Sequence, residues 1–262
     1  ILIPISIGYL GIDRVTELVQ TGGLGLGFRT LPYLFYQWGD VLGAISGMMW
    51  FGLLFFAGIT SSLAMGTPWI GFLQDEFNWE RKPAAWSFGL IVLLLGMPTV
   101  LYFHYGVFDE YDYWAGTVSL VVFALFESIL FAWIFGMTKG WQEINSGADI
   151  KVPGIYKYII KFITPLLLLW VFIGSLVTPK NGDWGAALSG NWELDNGSIV
   201  KKLTNASLKE QIAAATDAAQ LDKLNDTLLF VNGARILLLA VFLTLGLLVY
   251  IAYKKKLREG KI

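Results

Sequence analysis

The sequence predicts an all-α integral membrane protein with five transmembrane helices. Three observations lead there. The chain of 262 residues is 55% hydrophobic and only 15% charged, with a mean hydropathy of +0.59, too little charge to cover a water-soluble domain of this length. Five apolar segments stand out, at roughly 41–72, 85–103, 113–138, 158–178 and 228–253. Each has about 20 residues or more, enough to cross roughly 30 Å of hydrocarbon at about 1.5 Å per residue. The basic residues also cluster where alternating spans would place one side of a membrane.

Those clusters set the expected orientation. Arg81 and Lys82 follow the first span, and Lys139, Lys151, Lys157 and Lys161 lie between and just inside the third and fourth. Lys254, Lys255, Lys256, Arg258 and Lys261 end the chain. Together these are 11 of the 19 basic residues, which puts these segments and the C-terminus in the cytoplasm and residues 1–40, 104–112 and 179–227 outside. The opening ILIPISIGYLG reads as the end of an apolar helix already under way, so the chain is expected to be the back portion of a longer protein.

In order along the chain, 1–40 is expected to hold the end of a membrane helix and an extracellular helical loop. Within it VTELVQTGG reads as a short amphipathic helix ended by glycine, and RTLPYLF as a second helix opened near Pro32. Residues 41–178 carry four spans. Residues 179–227 form a turn-rich loop with one amphipathic helix, opened by a capping box of Ser207 and Glu210. Residues 228–262 are the last span and its basic tail. Asn196, Asn205 and Asn225 head N-x-S/T triplets, a pattern that arises easily by chance in a polar loop.

The chemistry concentrates in FFAGITSSLAM. At about 100° per residue, Ala57, Thr60, Ser61 and Ala64 fall on one strip of a helix, thinned by Gly58 and the alanines. One reading is helix packing, with the hydroxyls bonded back to carbonyls one turn earlier. The other is a cation site, in which two hydroxyls and the Ala57 carbonyl offer neutral, hard oxygens to a monovalent ion. Glu127 is a carboxylate deep in an apolar span, where an ion is costly unless paired, hydrated or neutralised. Asp112 opens the third span, where an aspartate would cap free amides, and Asp75 lies near a helix C-terminus, where an anion opposes the dipole.

Other classes of function find little support. The lone His104 has no ligand set at metal spacing, and zero cysteines exclude disulfides and thiolate metal sites. GGLGLG lacks the strand and helix context of a dinucleotide site. No nucleophile–base pair and no basic nucleic-acid face is present. Trp38, Trp79, Tyr102, Tyr105, Tyr113 and Trp141 read as an aromatic belt at span ends.

FFAGITSSLAM, with GLGFRTLP, FLQDEF, DYWAGT, WIFGMTKGWQEIN and KVPGIYKYIIKFITP, resembles the neurotransmitter:sodium symporter family, in particular its bacterial amino-acid members. The likeness runs in order through residues 1 to 178. It implies that the chain starts at the end of the family's seventh helix and that its spans are helices eight to twelve, the C-terminal part of an inverted-repeat sodium symporter fold.

The resemblance further implies that the Ala57 carbonyl and the Thr60 and Ser61 hydroxyls ligate sodium, and that Ser62 and Met65 face the substrate. Asp112 would act at an external gate and Asp75 at an internal one, each against an arginine of an earlier segment. The remaining ligands belong to the first, third and sixth helices, none of them in this chain. Glu127 receives no role from the resemblance. The implied activity is sodium-coupled import of amino acids by alternating access across the plasma membrane, with no enzymatic step. Met65 leans towards an apolar substrate, and chloride dependence rests on helices outside the chain. The implied partners are the amino acid, membrane lipid, the missing N-terminal helices and a second copy of the chain. A non-transporting scaffold or accessory subunit of the same fold is the alternative.

Overall fold

A backbone amide finds no partner in hydrocarbon, so a spanning segment must satisfy its polar groups within itself. Accordingly, regular structure is helical throughout the described residues, apart from one isolated antiparallel bridge between Pro179 and Leu194. The computed structural model describes residues 2–12, 15–16 and 26–260. Most of the VTELVQTGG stretch lies outside them. The principal helices are α1 (Leu2–Leu10), α2 (Leu31–Gln37), α3 (Asp40–Phe77), α4 (Arg81–Leu101), α5 (Val107–Asn145), α6 (Tyr156–Leu176), α7 (Trp184–Leu188), α8 (Ile199–Thr204), α9 (Ala206–Ala214) and α10 (Ala218–Arg258). Five of them, α3, α4, α5, α6 and α10, are long and apolar enough to cross a membrane. At 38 residues α3 is about 57 Å long, well beyond the hydrocarbon thickness. The chain packs as two units, Ile1–Leu90 and Ile91–Ile262.

In the first unit α2 starts with Pro32 in its first turn, as expected, because the ring's fixed φ suits a position whose amide needs no helical partner. Leu31, Leu34 and Phe35 are buried in a cluster completed by Trp50 of α3. Gly39, at φ 82°, makes the sharp entry to α3. Gly43 then lets the Phe35 carbonyl approach so closely that a Cβ would collide with it. At the other end Asn78 takes a left-handed conformation, and the amides of Asn78 and Trp79 return to the carbonyls of Gln74 and Leu73, closing the helix. The start of α4 is tied to α3 by Trp69 Nε1, which donates to Ser87 Oγ at 3.0 Å. Gly66 lies against the Phe88 ring, where a Cβ would stand 2.6 Å from a ring carbon.

In the second unit α5 runs through two π turns, Asp112–Val118 and Leu130–Gly136, and is broken at the end of the second by Gly136, at φ 97°. It begins at Val107, after Gly106 at φ 76°. Asp112 therefore sits inside the helix and is no N-cap, which corrects the capping expectation: the left-handed glycine, not the aspartate, starts the helix. At the far end Trp133 Nε1 donates to the Lys161 carbonyl of α6 at 3.0 Å.

Two further expectations change. The loop expected to hold one amphipathic helix holds three short ones, and no capping box forms. Asn205, at φ 54°, breaks α8 from α9 and leaves Ser207 already inside α9, while Ser198 caps α8 by accepting from the Lys201 amide. The helix of the last span starts at Ala218, because no proline and no glycine before Gly233 interrupts its Ala- and Leu-rich lead-in. Asn225 thus lies on a helix.

The start of α5 is fixed to α10 by a buried ion pair. Arg235 Nε donates to Glu110 Oε2 at 2.6 Å, with side chains 16% and 8% exposed. Trp114 Nε1 donates to the same oxygen at 2.7 Å, and Tyr102 and Tyr105 stack on Phe230 of α10 at 4.1 and 4.6 Å between ring centroids. A second ion pair among the described residues, Lys180–Glu193 at 3.0 Å, is 58% and 62% exposed.

Two outcomes follow for purified protein followed by tryptophan fluorescence on heating. Gly43→Ala is expected to cost about 1–3 kcal/mol, since the colliding atom is backbone and cannot rotate away; an unchanged midpoint would contradict that packing. Glu110→Ala should cost about 3 kcal/mol or more by stranding a buried guanidinium. Glu193→Ala should cost less than about 1 kcal/mol, because water already screens its partner. Equal shifts for the two would refute the assignment of the buried pair as the tie.

Candidate functional site

The hydroxyl strip of α3 is as regular in the structure as its spacing suggests. Thr60 Oγ1 donates to the Phe56 carbonyl at 2.9 Å, with a second approach to the Ala57 carbonyl at 3.1 Å. Ser62 Oγ donates to the Gly58 carbonyl at 2.8 Å, and Thr67 Oγ1 to that of Leu63 at 3.1 Å. Ser61 Oγ makes no such bond among the described residues. Both readings of the strip thus have a physical footing: the protons of Thr60, Ser62 and Thr67 return to the helix, and the oxygens of Thr60 and Ser61 keep lone pairs available.

The donor set suits a hard monovalent ion. A hydroxyl that places its proton on a carbonyl one turn back presents only oxygen lone pairs outward. The shorter of the two Thr60 bonds goes to Phe56, so the hydroxyl can keep that bond while releasing the Ala57 carbonyl. The Ala57 and Thr60 oxygens then present no proton to a cation, and the Ser61 hydroxyl is free to turn its own aside. The three oxygens form part of a shell only. Ala57, Thr60, Ser61 and Ser62 are exposed, and Met65 is 75% exposed. Met65 occupies the flank of the strip, about 80–100° round from Ala57 and Ala64, and Ser62 lies further round, about 140–160° from them. Proline 68 sits inside α3 without an amide proton, which leaves the Ala64 carbonyl on the same strip without its usual helical donor.

The charged candidates occupy other segments of the chain. Asp75 is exposed in the last turn of α3, about 21 Å along the axis from Ser61. Asp112 is exposed in the first π turn of α5, and Glu127 is exposed near the middle of that helix. None of the three has an ion-pair partner among the described residues. His104 lies exposed in a single 3₁₀ turn, Phe103–Tyr105. No three His, Asp or Glu side chains gather at metal-binding distance among the described residues.

Sequence reasoning missed the Glu110–Arg235 pair. The signal was present in GARILLLAVF, where an arginine enters an apolar span and calls for a partner. Glu110 was hidden by its neighbours in DEYDYW, a stretch that reads as a solvated connection.

Comparison with known proteins adds to this geometry. The profile of the Sodium:neurotransmitter symporter family matches residues 7–200. Among curated proteins, the "Sodium-dependent nutrient amino acid transporter 1" of Drosophila grimshawi is 25% identical over 169 residues, which is 64% of this chain and 26% of the relative. Its counterpart in Drosophila persimilis is 26% identical over 170 residues, and that of Drosophila melanogaster 25% over 170, with the same coverage. The chain thus spans about a quarter of the length of these relatives. A family profile that covers most of the chain, on a helical protein with five candidate spans, places it among membrane transporters and outside the enzymes: the chain belongs to the sodium:neurotransmitter symporter family.

Proposed function

We propose that this chain is the C-terminal part of a sodium-coupled amino-acid importer, contributing part of one sodium site and one wall of the substrate pocket. The observation that carries the reading is the strip on α3, where the Ala57 carbonyl and the Thr60 and Ser61 hydroxyls lie along one face, with the Thr60 proton directed into the helix. Support comes from family membership and from relatives whose names describe sodium-dependent nutrient amino acid transporters. The site is completed by helices outside these 262 residues.

Sodium is a co-substrate here. Bound between α3 and an earlier helix of the same transporter, it stabilises the outward-facing arrangement to the extent that it binds that state more tightly. Its release to the cytoplasm removes the restraint and lets the molecule return. Neutral oxygens suit this cycle, since a carboxylate in the shell would hold the ion more strongly and slow its departure. Ser62 and Met65 face the amino acid, and Met65, flexible and apolar, favours an apolar side chain.

Asp112 and Asp75 act at the two gates, each pairing with a cation supplied by another segment. For Asp75 a partner is needed on electrostatic grounds, because a carboxylate in the last turn of a helix faces the negative end of its dipole. The basic tail and the Arg81–Lys82 turn face the cytoplasm of a plasma-membrane protein.

In the full-length transporter reconstituted in liposomes, Thr60→Ala combined with Ser61→Ala is expected to raise the sodium concentration for half-maximal uptake about tenfold or more, the effect of losing roughly 1.4 kcal/mol of ligation. Thr67→Ala, two turns along the same helix, should leave it unchanged. An unaltered sodium requirement in the double variant would reject the site.

A further inference from the structure

The π turn that carries Asp112 is held from outside its own helix at several points. A π turn contains one residue more than an α turn and is rarely stable on intrinsic grounds. If it relaxed to an α turn, the residues before it would rotate by about 100° relative to those after it. Something must therefore hold the wider turn. Trp114, within the turn, donates Nε1 to Glu110 Oε2 at 2.7 Å, and the Arg235 guanidinium lies 5.4 Å over its ring while bonding the same carboxylate oxygen. Arg235 also donates Nη1 to the Leu203 carbonyl at 3.2 Å, so α10 and the end of α8 are joined at this point. Tyr113 donates its hydroxyl to the Gly197 carbonyl at 3.2 Å beneath the Lys202 ammonium, 4.6 Å from the ring centroid. Ser119 Oγ donates to the Trp114 carbonyl at 2.7 Å.

The two residues directly after Asp112 are thus both anchored, and so is the carboxylate two residues before it. Asp112 itself is exposed and has no ion-pair partner among the described residues. Counted round the helix, it lies about 200° from both Glu110 and Trp114, on the side away from the Arg235 contact. An aspartate free on one side of a turn clamped on the other is one whose direction is set by its neighbours.

We propose that Glu110 and Arg235 are positioning residues for Asp112: their buried pair, through Trp114, locks the π turn in the one setting that aims the aspartate away from α10. The inference rests on the reading of Asp112 as a gate. It assigns the aim of that gate to a contact with the last span and the loop before it, so the outer charge moves together with α8 and α10.

The chain has no cysteine, so Asp112→Cys gives a single attachment point within it for a nitroxide. In the full-length transporter, cleared of any cysteine elsewhere and reconstituted in liposomes, the label's electron paramagnetic resonance spectrum is expected to be ordered. Glu110→Gln and Arg235→Gln should add a mobile component, and Trp114→Phe, which removes only the indole hydrogen bond, a smaller one. A control label at Leu247, exposed on α10, should not respond. Should Glu110→Gln fail to fold, Glu110→Asp and Trp114→Phe test the same clamp. A label at 112 indifferent to these changes, in protein of unaltered helix content, would overturn the positioning role alone. Uptake by Asp112→Asn tests the gate separately: loss of uptake is the expected result, and wild-type uptake would remove the gate and with it the purpose of the clamp.

Discussion

The interior of a bilayer offers no hydrogen-bond partners, and nearly every feature of this chain follows from that constraint. Backbone amides are satisfied along helices of 21 to 41 residues. Hydroxyl side chains obey the same rule: those of Thr60, Ser62, Thr67 and Thr244 donate to carbonyls of their own helix. This local bonding turns the hydroxyls of Thr60, Ser62 and Thr67 into acceptors on their outer side. A serine with its proton committed inward is a weaker polar burden in hydrocarbon and a better ligand for a cation. Helix packing and the proposed ion binding therefore rest on one arrangement.

Charges obey the constraint differently. Arg235 cannot return its hydrogen bonds to its own helix, so it finds Glu110, Trp114 and the Leu203 carbonyl. A buried ion pair of this kind adds little net stability relative to apolar side chains, but breaking one half is costly, and that asymmetry makes it a device for specifying an arrangement. Here the arrangement joins α5, α8 and α10. Asp75, Asp112 and Glu127 show the opposite pattern, exposed and without an ion-pair partner among the described residues.

Much of the fold was legible in the sequence because the signals are local. A run of about 20 apolar residues marks a span, Pro32 marks a helix start, and a period of 3.6 puts Ala57, Thr60 and Ser61 together. What was not legible depends on contacts or on competing local conformations. Glu110 and Arg235 are 125 positions apart, and no local pattern pairs them. Asn205 could have continued a helix, but its tolerance of a left-handed conformation ended it, so the Ser207 and Glu210 spacing never became a cap. The π turns of α5 carry no compositional mark, which is why Asp112 read as an N-cap when it belongs inside a helix. At the proposed site, the order of oxygens along α3 was readable and the completion of the shell was not, since its other half belongs to other helices.

The central claim is that the Ala57 carbonyl holds sodium jointly with Thr60 and Ser61. Solid-state nuclear magnetic resonance on the intact transporter, labelled with carbon-13 at that one carbonyl and held in sodium or in potassium, tests it most directly. The account predicts a change in the carbonyl resonance that saturates with sodium over the range that drives uptake, and none with potassium. An Ala57 resonance identical in the two ions, with substrate bound, would contradict it.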